Sequence, residues 1–166
     1  CPEGVRDTAQ AAYDDSAALI ARWHGRGRLG YAISPRFSVT SSAGQLAAAG
    51  ALAAEHPGCH RQTHIAENHA EIAAVARLFP EARDYLDTYD RAGLLGPQML
   101  FGHCLHLSDR EVARIAETGS RAVFCPTSNL FLGSGLFDRR GLEGAGGTTA
   151  IATDIGGGTS WSMLAT

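Results

Sequence analysis

Lysine is missing altogether: the 14 basic side chains among 166 residues are all Arg. Neither a Schiff-base lysine nor the phosphate-cradling lysine of a P-loop can therefore come from these residues. Long apolar runs are missing as well. The Ala-rich stretch from Ala43 to Ala54 carries polar residues and falls short of the roughly 18 apolar residues that span a bilayer, so no membrane partner is expected. No Cys-x-x-Cys spacing occurs. Cys1, Cys59, Cys104 and Cys125 lie far apart, the pattern of reduced thiols in a cytoplasmic protein and not of a disulfide framework or zinc ribbon. A basic stripe is also lacking, and with net charge -3 and a pI near 6.2 the chain is not built for nucleic acid. A small or neutral ligand is expected instead.

What is present is the composition of one packed domain: 45% hydrophobic, 19% charged, mean hydropathy -0.08. The chain opens on Cys1 with no initiating Met, and Glu3, Arg6 and Asp7 stand where a signal peptide would carry a basic start and an apolar run. The expectation is a segment of a longer polypeptide.

Helical and strand-like patterns alternate. Apolar residues at helical spacing predict a helix over Asp7 to Gly25, and a short strand follows over Leu29 to Ile33. Ser42 with Gln45 and Ser108 with Glu111 are capping boxes, Asn68 with Glu71 a further cap, and each opens a helical segment. Glu81 to Ala92 reads as another helix, and the stretch from Pro126 to Gly147 as loop with one short helix at most. Strand candidates end near residues 33, 64, 103, 124 and 153, spaced by 31, 39, 21 and 29 residues. Those intervals are the lengths of βα units, so the sheet should be parallel. No Gly-x-Gly-x-x-Gly follows a strand, since Gly156-Gly157-Gly158 lacks that spacing, which favours a (β/α)8 barrel over a doubly wound sheet. A whole barrel takes about 250 residues. The expected fold is thus α/β, a partial TIM-type barrel.

Functional groups in such folds gather at the carboxyl ends of strands. His64 and His103 end two strand candidates, Asp154 follows a third, and Glu67 stands three residues beyond His64. Each alone has an ordinary structural role open to it: a hydrogen-bonded His, an Asp in a turn, a solvated Glu. Together, two imidazoles and a carboxylate on one rim suit Zn²⁺, with Glu67 left to move protons. Arg36 and Phe37, a planar donor fork beside an aromatic face, suit a flat heterocycle. His24, His56, His60, His69 and His106 sit in turn, helix-end or first-turn contexts and are read as structural.

These same residues carry a resemblance. Ser34-Pro35-Arg36-Phe37-Ser38, Gln62-Thr63-His64-Ile65-Ala66-Glu67-Asn68, Gly102-His103-Cys104, Cys125-Pro126-Thr127-Ser128-Asn129-Leu130 and Thr153-Asp154-Ile155-Gly156-Gly157-Gly158 resemble, in this order, the blocks of guanine deaminases in the amidohydrolase superfamily. Related deaminases and triazine hydrolases share the blocks around His64, His103, Cys125 and Asp154. The Ser-Pro-Arg-Phe block, Asn68 and the glycine run point more narrowly to guanine. The resemblance covers nearly the whole chain as a single segment, residues 1–166, of the metal-dependent hydrolase barrel, roughly strands four to eight with their helices. The earlier strands and the flanking β-sandwich would lie outside it.

It implies zinc-dependent hydrolytic deamination of guanine to xanthine and ammonia, as in purine catabolism, with one Zn²⁺ per chain. His64 and Asp154 would be metal ligands. Asp154 would also take a proton from the attacking water, Glu67 would shuttle protons, and His103 would stabilise the tetrahedral centre. Arg36 and Phe37 would bind the purine, beside Glu67 and His103. A homodimer in the cytoplasm is likewise implied. One departure stands out: the family's His-x-His pair is absent from the sequence. Two of the expected metal ligands are thereby missing, so these residues alone are expected to be inactive. The competing readings are a related amidohydrolase acting on another aminated or halogenated heterocycle, and a silent fragment or binding module. An in-frame His-x-His upstream of Cys1 would separate the enzyme from the silent module.

Overall fold

The structure, a computed structural model, describes residues 3–162. Five strands are present: β1 (Ala32–Ile33), β2 (His60–Ile65), β3 (Met99–His103), β4 (Arg121–Phe124) and β5 (Thr148–Ile151). All pair in parallel, in the order in which they occur along the chain. A doubly wound sheet reverses direction at a switch point; this one never does, and it is the sheet of a (β/α) barrel followed over five strands. Right-handed crossovers between successive neighbours put the helices on one face. On that face the row Thr63, Phe101 and Ala122 is in register and buried. On the other, His64, Gly102, Val123 and Ala150 line up, exposed or half-buried.

Local chemistry sets the helix limits. Helix α1 (Ala9–Trp23) starts where the Thr8 hydroxyl accepts the Ala11 N–H. Helix α2 (Ala43–Glu55) and α5 (Asp109–Thr118) both begin with complete capping boxes, as the Ser-x-x-Gln and Ser-x-x-Glu patterns predict. Helix α3 (His69–Leu78) is capped by Asn68, and α4 (Tyr85–Arg91) by Asp84. Helix α5 stops at Gly119, whose φ of 70° suits the left-handed turn.

Three expectations need correction, the first being the helix read over Glu81 to Ala92, which begins only at Tyr85, where the Asp84 carboxylate accepts the Asp87 N–H and sets its start. The stretch from Pro126 to Gly147 holds two helices, α6 (Pro126–Leu132) and α7 (Arg139–Gly144). Pro126 at the first turn has its φ set for a helix, while Asp138 caps α7 through the Gly141 N–H and an Arg139–Glu143 pair ties its first turn to its last. Gly133 and Gly144 serve as helix ends, and Gly141 lies within α7. The first strand is also shorter than expected, because the chain reverses through Gly25 and Gly27 at positive φ and joins the sheet only at Ala32.

Helix α2 is buried along Leu46, Ala49, Gly50, Leu52 and Ala53. A Cβ at Gly50 would overlap the backbone carbonyl of Ala92 at the end of α4, and backbone cannot step aside as a side chain can. Gly50→Ala is therefore expected to destabilise by about 1 to 3 kcal/mol despite the better helix propensity of Ala. In the same helix, Gly44→Ala meets only ordinary contacts, Ala9 Cβ at 3.6 Å and Ser42 Oγ at 3.8 Å, and should be neutral or stabilising by up to about 1 kcal/mol. Urea unfolding of the two variants checks the contrast, and equal midpoints would contradict the packing argument.

Candidate active site

The carboxyl ends of β2, β3 and β5 carry the predicted groups, and the backbone there is under tension. The non-glycine residues with positive φ among those described are Ala66 (50°), His103 (72°), Cys104 (53°) and Asp154 (50°). All lie at or just past a strand end. Such conformations cost of order 1 to 3 kcal/mol each and persist where surrounding structure enforces them, characteristically at functional sites.

His64 is held from several directions. Its Nδ1 donates to the Arg36 carbonyl at 2.7 Å, which leaves the Nε2 lone pair free. The same carbonyl accepts the His64 N–H (3.1 Å) and the Thr63 hydroxyl (3.1 Å). Tyr89, a fully buried residue of α4, donates its hydroxyl to the His64 carbonyl at 2.9 Å and accepts the Ser38 N–H at 3.0 Å. The loop after β1 is thereby clamped to the end of β2, with the Phe37 ring set edge-on to His64 at 6.2 Å.

The His103 ring lies 5.4 Å from that of His64 and is buried. Burial pushes its pKa below the ordinary imidazole range, against the pull of the Glu67 and Asp154 carboxylates, so it is neutral at pH 7. The Asn129 amide nitrogen donates to its Nδ1 at 2.8 Å, which leaves the proton on Nε2, 3.7 Å from Glu67 Oε2. That separation is too long for a hydrogen bond and leaves donor and acceptor facing a shared gap. Glu67 Oε1 accepts from the Ser134 hydroxyl at 3.1 Å, and the Glu67 N–H donates to Glu71 Oε2 at 3.0 Å. Glu71, itself buried, accepts the Tyr85 hydroxyl at 2.5 Å through its other oxygen.

Asp154 follows β5, its carbonyl accepting the N–H groups of Gly157 (3.0 Å) and Gly158 (2.6 Å). A Cβ at Gly157 would sit 2.7 Å from the Asp154 carboxylate and 3.0 Å from Ser128 Oγ, so the glycine lets the loop fold onto both. Thr127 Oγ1, Ser128 Oγ and Asn129 Oδ1, consecutive on α6, are buried without a hydrogen-bond partner.

Among the described residues no three His, Cys, Asp or Glu side chains converge closely enough to hold a metal ion. His103 is turned toward Asn129 and Glu67. His64 and Asp154 do fit a metal as two donors of a larger set. The pinned Nδ1 of His64 orients its ring as a supporting carbonyl does for a metal-binding imidazole, and the Asp154 carboxylate makes no hydrogen bond or ion pair among the described residues.

Arg36 is exposed, its guanidinium 5.1 Å from the Phe37 ring centre. It borders a cavity of about 1040 Å³ between α1, α2 and the loop after β1, which His64, Glu67, His103 and Asp154 do not line. Volume and chemistry thus separate here, and the chemistry locates the site. Cys59, Cys104 and Cys125 are free and buried, while Cys1 lies outside the described residues. Burial, with the Asp154 charge adding to it, pushes the Cys125 thiol up to about 11, and burial raises Cys104 further. Both stay protonated at neutral pH and are neither nucleophiles nor ready metal ligands. No helix among the described residues is long and apolar enough to cross a membrane.

Sequence reasoning missed Asn129, Ser134, Glu71 and Tyr89. The Asn68–Glu71 spacing was read as a cap, yet the Glu71 carboxylate turns to the Glu67 N–H; the others are brought in by tertiary packing alone.

Strand-end histidines and carboxylates on a consecutive parallel sheet are the arrangement of a barrel hydrolase, and the amidohydrolase family model matches residues 2–166. The chain belongs to the amidohydrolase family. Within it, the chain is 47% identical over 165 residues to guanine deaminase of Escherichia coli, covering 99% of this chain and 38% of that protein. It is 49% identical over 160 residues to the probable guanine deaminase of Deinococcus radiodurans, covering 96% of this chain and 36% of that one. The solved E. coli guanine deaminase superposes with a TM-score of 0.97. A guanine deaminase from C. acetobutylicum with guanine in its active site superposes at 0.90, at 30% identity, over 95% of this chain and 38% of that one. The chain therefore spans little more than a third of the length of these relatives.

Proposed function

We propose that the longer polypeptide carrying residues 1–166 as one segment of its barrel domain, without the first strands or a flanking β-sandwich, is a zinc-dependent deaminase that converts guanine to xanthine and ammonia. The observation carrying this reading is the pairing of Glu67 with neutral His103 across a 3.7 Å gap, beside a Phe37 ring edge-on to His64, whose imidazole keeps one nitrogen free for a metal. The name and bound guanine of the relatives support the choice of substrate.

His64 and Asp154 would hold one zinc ion per chain, with the remaining ligands supplied from outside these residues, so the segment alone is expected to be inactive. Zinc held there would supply Lewis acidity and make water a nucleophile near neutral pH. Asp154 takes the proton of the attacking water. Glu67, protonated when the purine binds, delivers its proton to the ring nitrogen beside the attacked carbon, ending its aromaticity, takes up the water proton from Asp154 and gives it to the departing amine, which cannot leave as an anion; the remaining hydroxyl proton, released as the carbonyl forms, restores Glu67. The Nε2–H of His103 donates to the developing tetrahedral centre. Arg36 donates to the purine oxygen while Phe37 packs on the ring. The organic ligand of the site is a purine; a homodimeric, cytoplasmic protein is part of the same proposal.

The test is specificity. Removing a hydrogen bond from a charged donor costs about 1.5 to 3 kcal/mol, at least about tenfold in rate. Arg36→Ala should lower kcat/KM for guanine by at least about tenfold, and the ratio of guanine to 2-aminopurine, which lacks the oxygen, should narrow accordingly. An unchanged ratio would show that another group reads the purine, and would favour a relative acting on a different heterocycle.

A further inference from the structure

Glu67 is held at its side chain by a residue far along the chain, and that residue has a keeper of its own. Ser134 lies in the loop after α6, donates its hydroxyl to Glu67 Oε1 at 3.1 Å, and presents its carbonyl to the Nε2–H of His106 at 2.8 Å. His106 is fixed in turn. Its N–H donates to the Ala66 carbonyl at 3.1 Å, and its ring stacks on His69 with centres 4.1 Å apart. The loop is shaped to receive that ring: Gly133 and Gly135 have φ of 69° and 144°. A Cβ at Gly135 would stand 3.1 Å from His106 Cε1 and 3.2 Å from Nε2. Glycine at 135 thus serves both the backbone and the close approach of the imidazole.

We propose that His106 and Ser134 form a positioning relay for Glu67: His106 anchors the loop through the Ser134 carbonyl, and the Ser134 hydroxyl fixes one carboxylate oxygen so that the other faces His103. The relay begins and ends on the same turn after β2, since His106 is bonded to Ala66 and Ser134 to Glu67. A carboxylate with 22% of its side chain exposed has several accessible rotamers, and fixing one of them preserves the geometry on which proton delivery depends. Neither residue touches the purine in this scheme, so their loss should act on turnover and leave substrate binding almost unchanged.

The proposal rests on the reading of Glu67 as the proton carrier, and the experiment separates the two. Steady-state guanine deamination is measured in the full polypeptide for Ser134→Ala, His106→Ala, His106→Gln, Glu67→Gln, and the doubles Ser134→Ala/Glu67→Gln and His106→Ala/Ser134→Ala. Ser134→Ala should lower kcat by about tenfold with KM within about twofold. His106→Ala should lose a similar factor, and His106→Gln, whose amide can still donate to a carbonyl, should recover at least about half of wild-type kcat. Added to Glu67→Gln, the Ser134 change should cost less than about twofold, and added to Ser134→Ala the His106 change should cost no more than that. Ser134→Ala at wild-type kcat, or an equal fold loss with and without Glu67, would overturn the relay while leaving Glu67 in place. Wild-type turnover in Glu67→Gln itself would overturn both.

Discussion

Replacing Glu67 with Gln is expected to lower turnover by about 10² to 10⁴-fold while leaving zinc content unchanged. The substitution keeps the shape of the side chain and an oxygen that can accept from Ser134, the contact seen at 3.1 Å. It keeps the backbone bond to Glu71 as well, since that bond uses the Glu67 N–H. What it removes is the ability to take and return a proton opposite the Nε2–H of His103. Elemental analysis alongside steady-state kinetics separates the possible roles. Lost zinc would make Glu67 a ligand, and near-normal turnover would end its assignment as proton carrier.

His64→Ala should abolish stable metal binding. The imidazole is set by three interactions on the carbonyl of Arg36 and one at its own carbonyl from Tyr89, an investment of structure in one ring orientation. Removing a supporting hydrogen-bond partner of a metal ligand costs about 10 to 100-fold in metal affinity; removing the ligand itself should cost more. Zinc stoichiometry should fall from one per chain to well below that after dialysis. Arg36→Ala gives the internal control, because His64 leans on the Arg36 backbone and not on its guanidinium, so its zinc content should match the wild type. Full and equal occupancy in wild type and His64→Ala would remove His64 from the ligand set.

The elements fixed by local chemistry were legible in the sequence. Caps such as Ser42–Gln45 and Ser108–Glu111 depend on residues three apart and form as the pattern dictates. The strand ends at Ile33, His103 and Phe124 fall where the apolar runs stop. Helices α6 and α7 were hidden because their glycines and short lengths imitate loop, and only the Pro126 and Asp138 start signals betray them. At the site, residues on strand ends could be named in advance because a parallel sheet brings strand ends together. Ser134 and Tyr89 could not: the hydroxyl of Ser134 reaches Glu67 across 67 positions of chain, and that of Tyr89 reaches His64 across 25; Asn129 stands in a block that the sequence shows, but its bond to His103 across 26 positions was not readable there. No periodicity encodes such pairings.

Incubating the zinc-loaded full polypeptide with guanine and following xanthine and ammonia together tests the central claim most directly. Both should appear in a one-to-one ratio, with adenine, which has an amine where guanine has its oxygen, turned over poorly. Release of ammonia or halide from another heterocycle, with guanine left intact under the same conditions, would contradict the assignment of guanine as substrate.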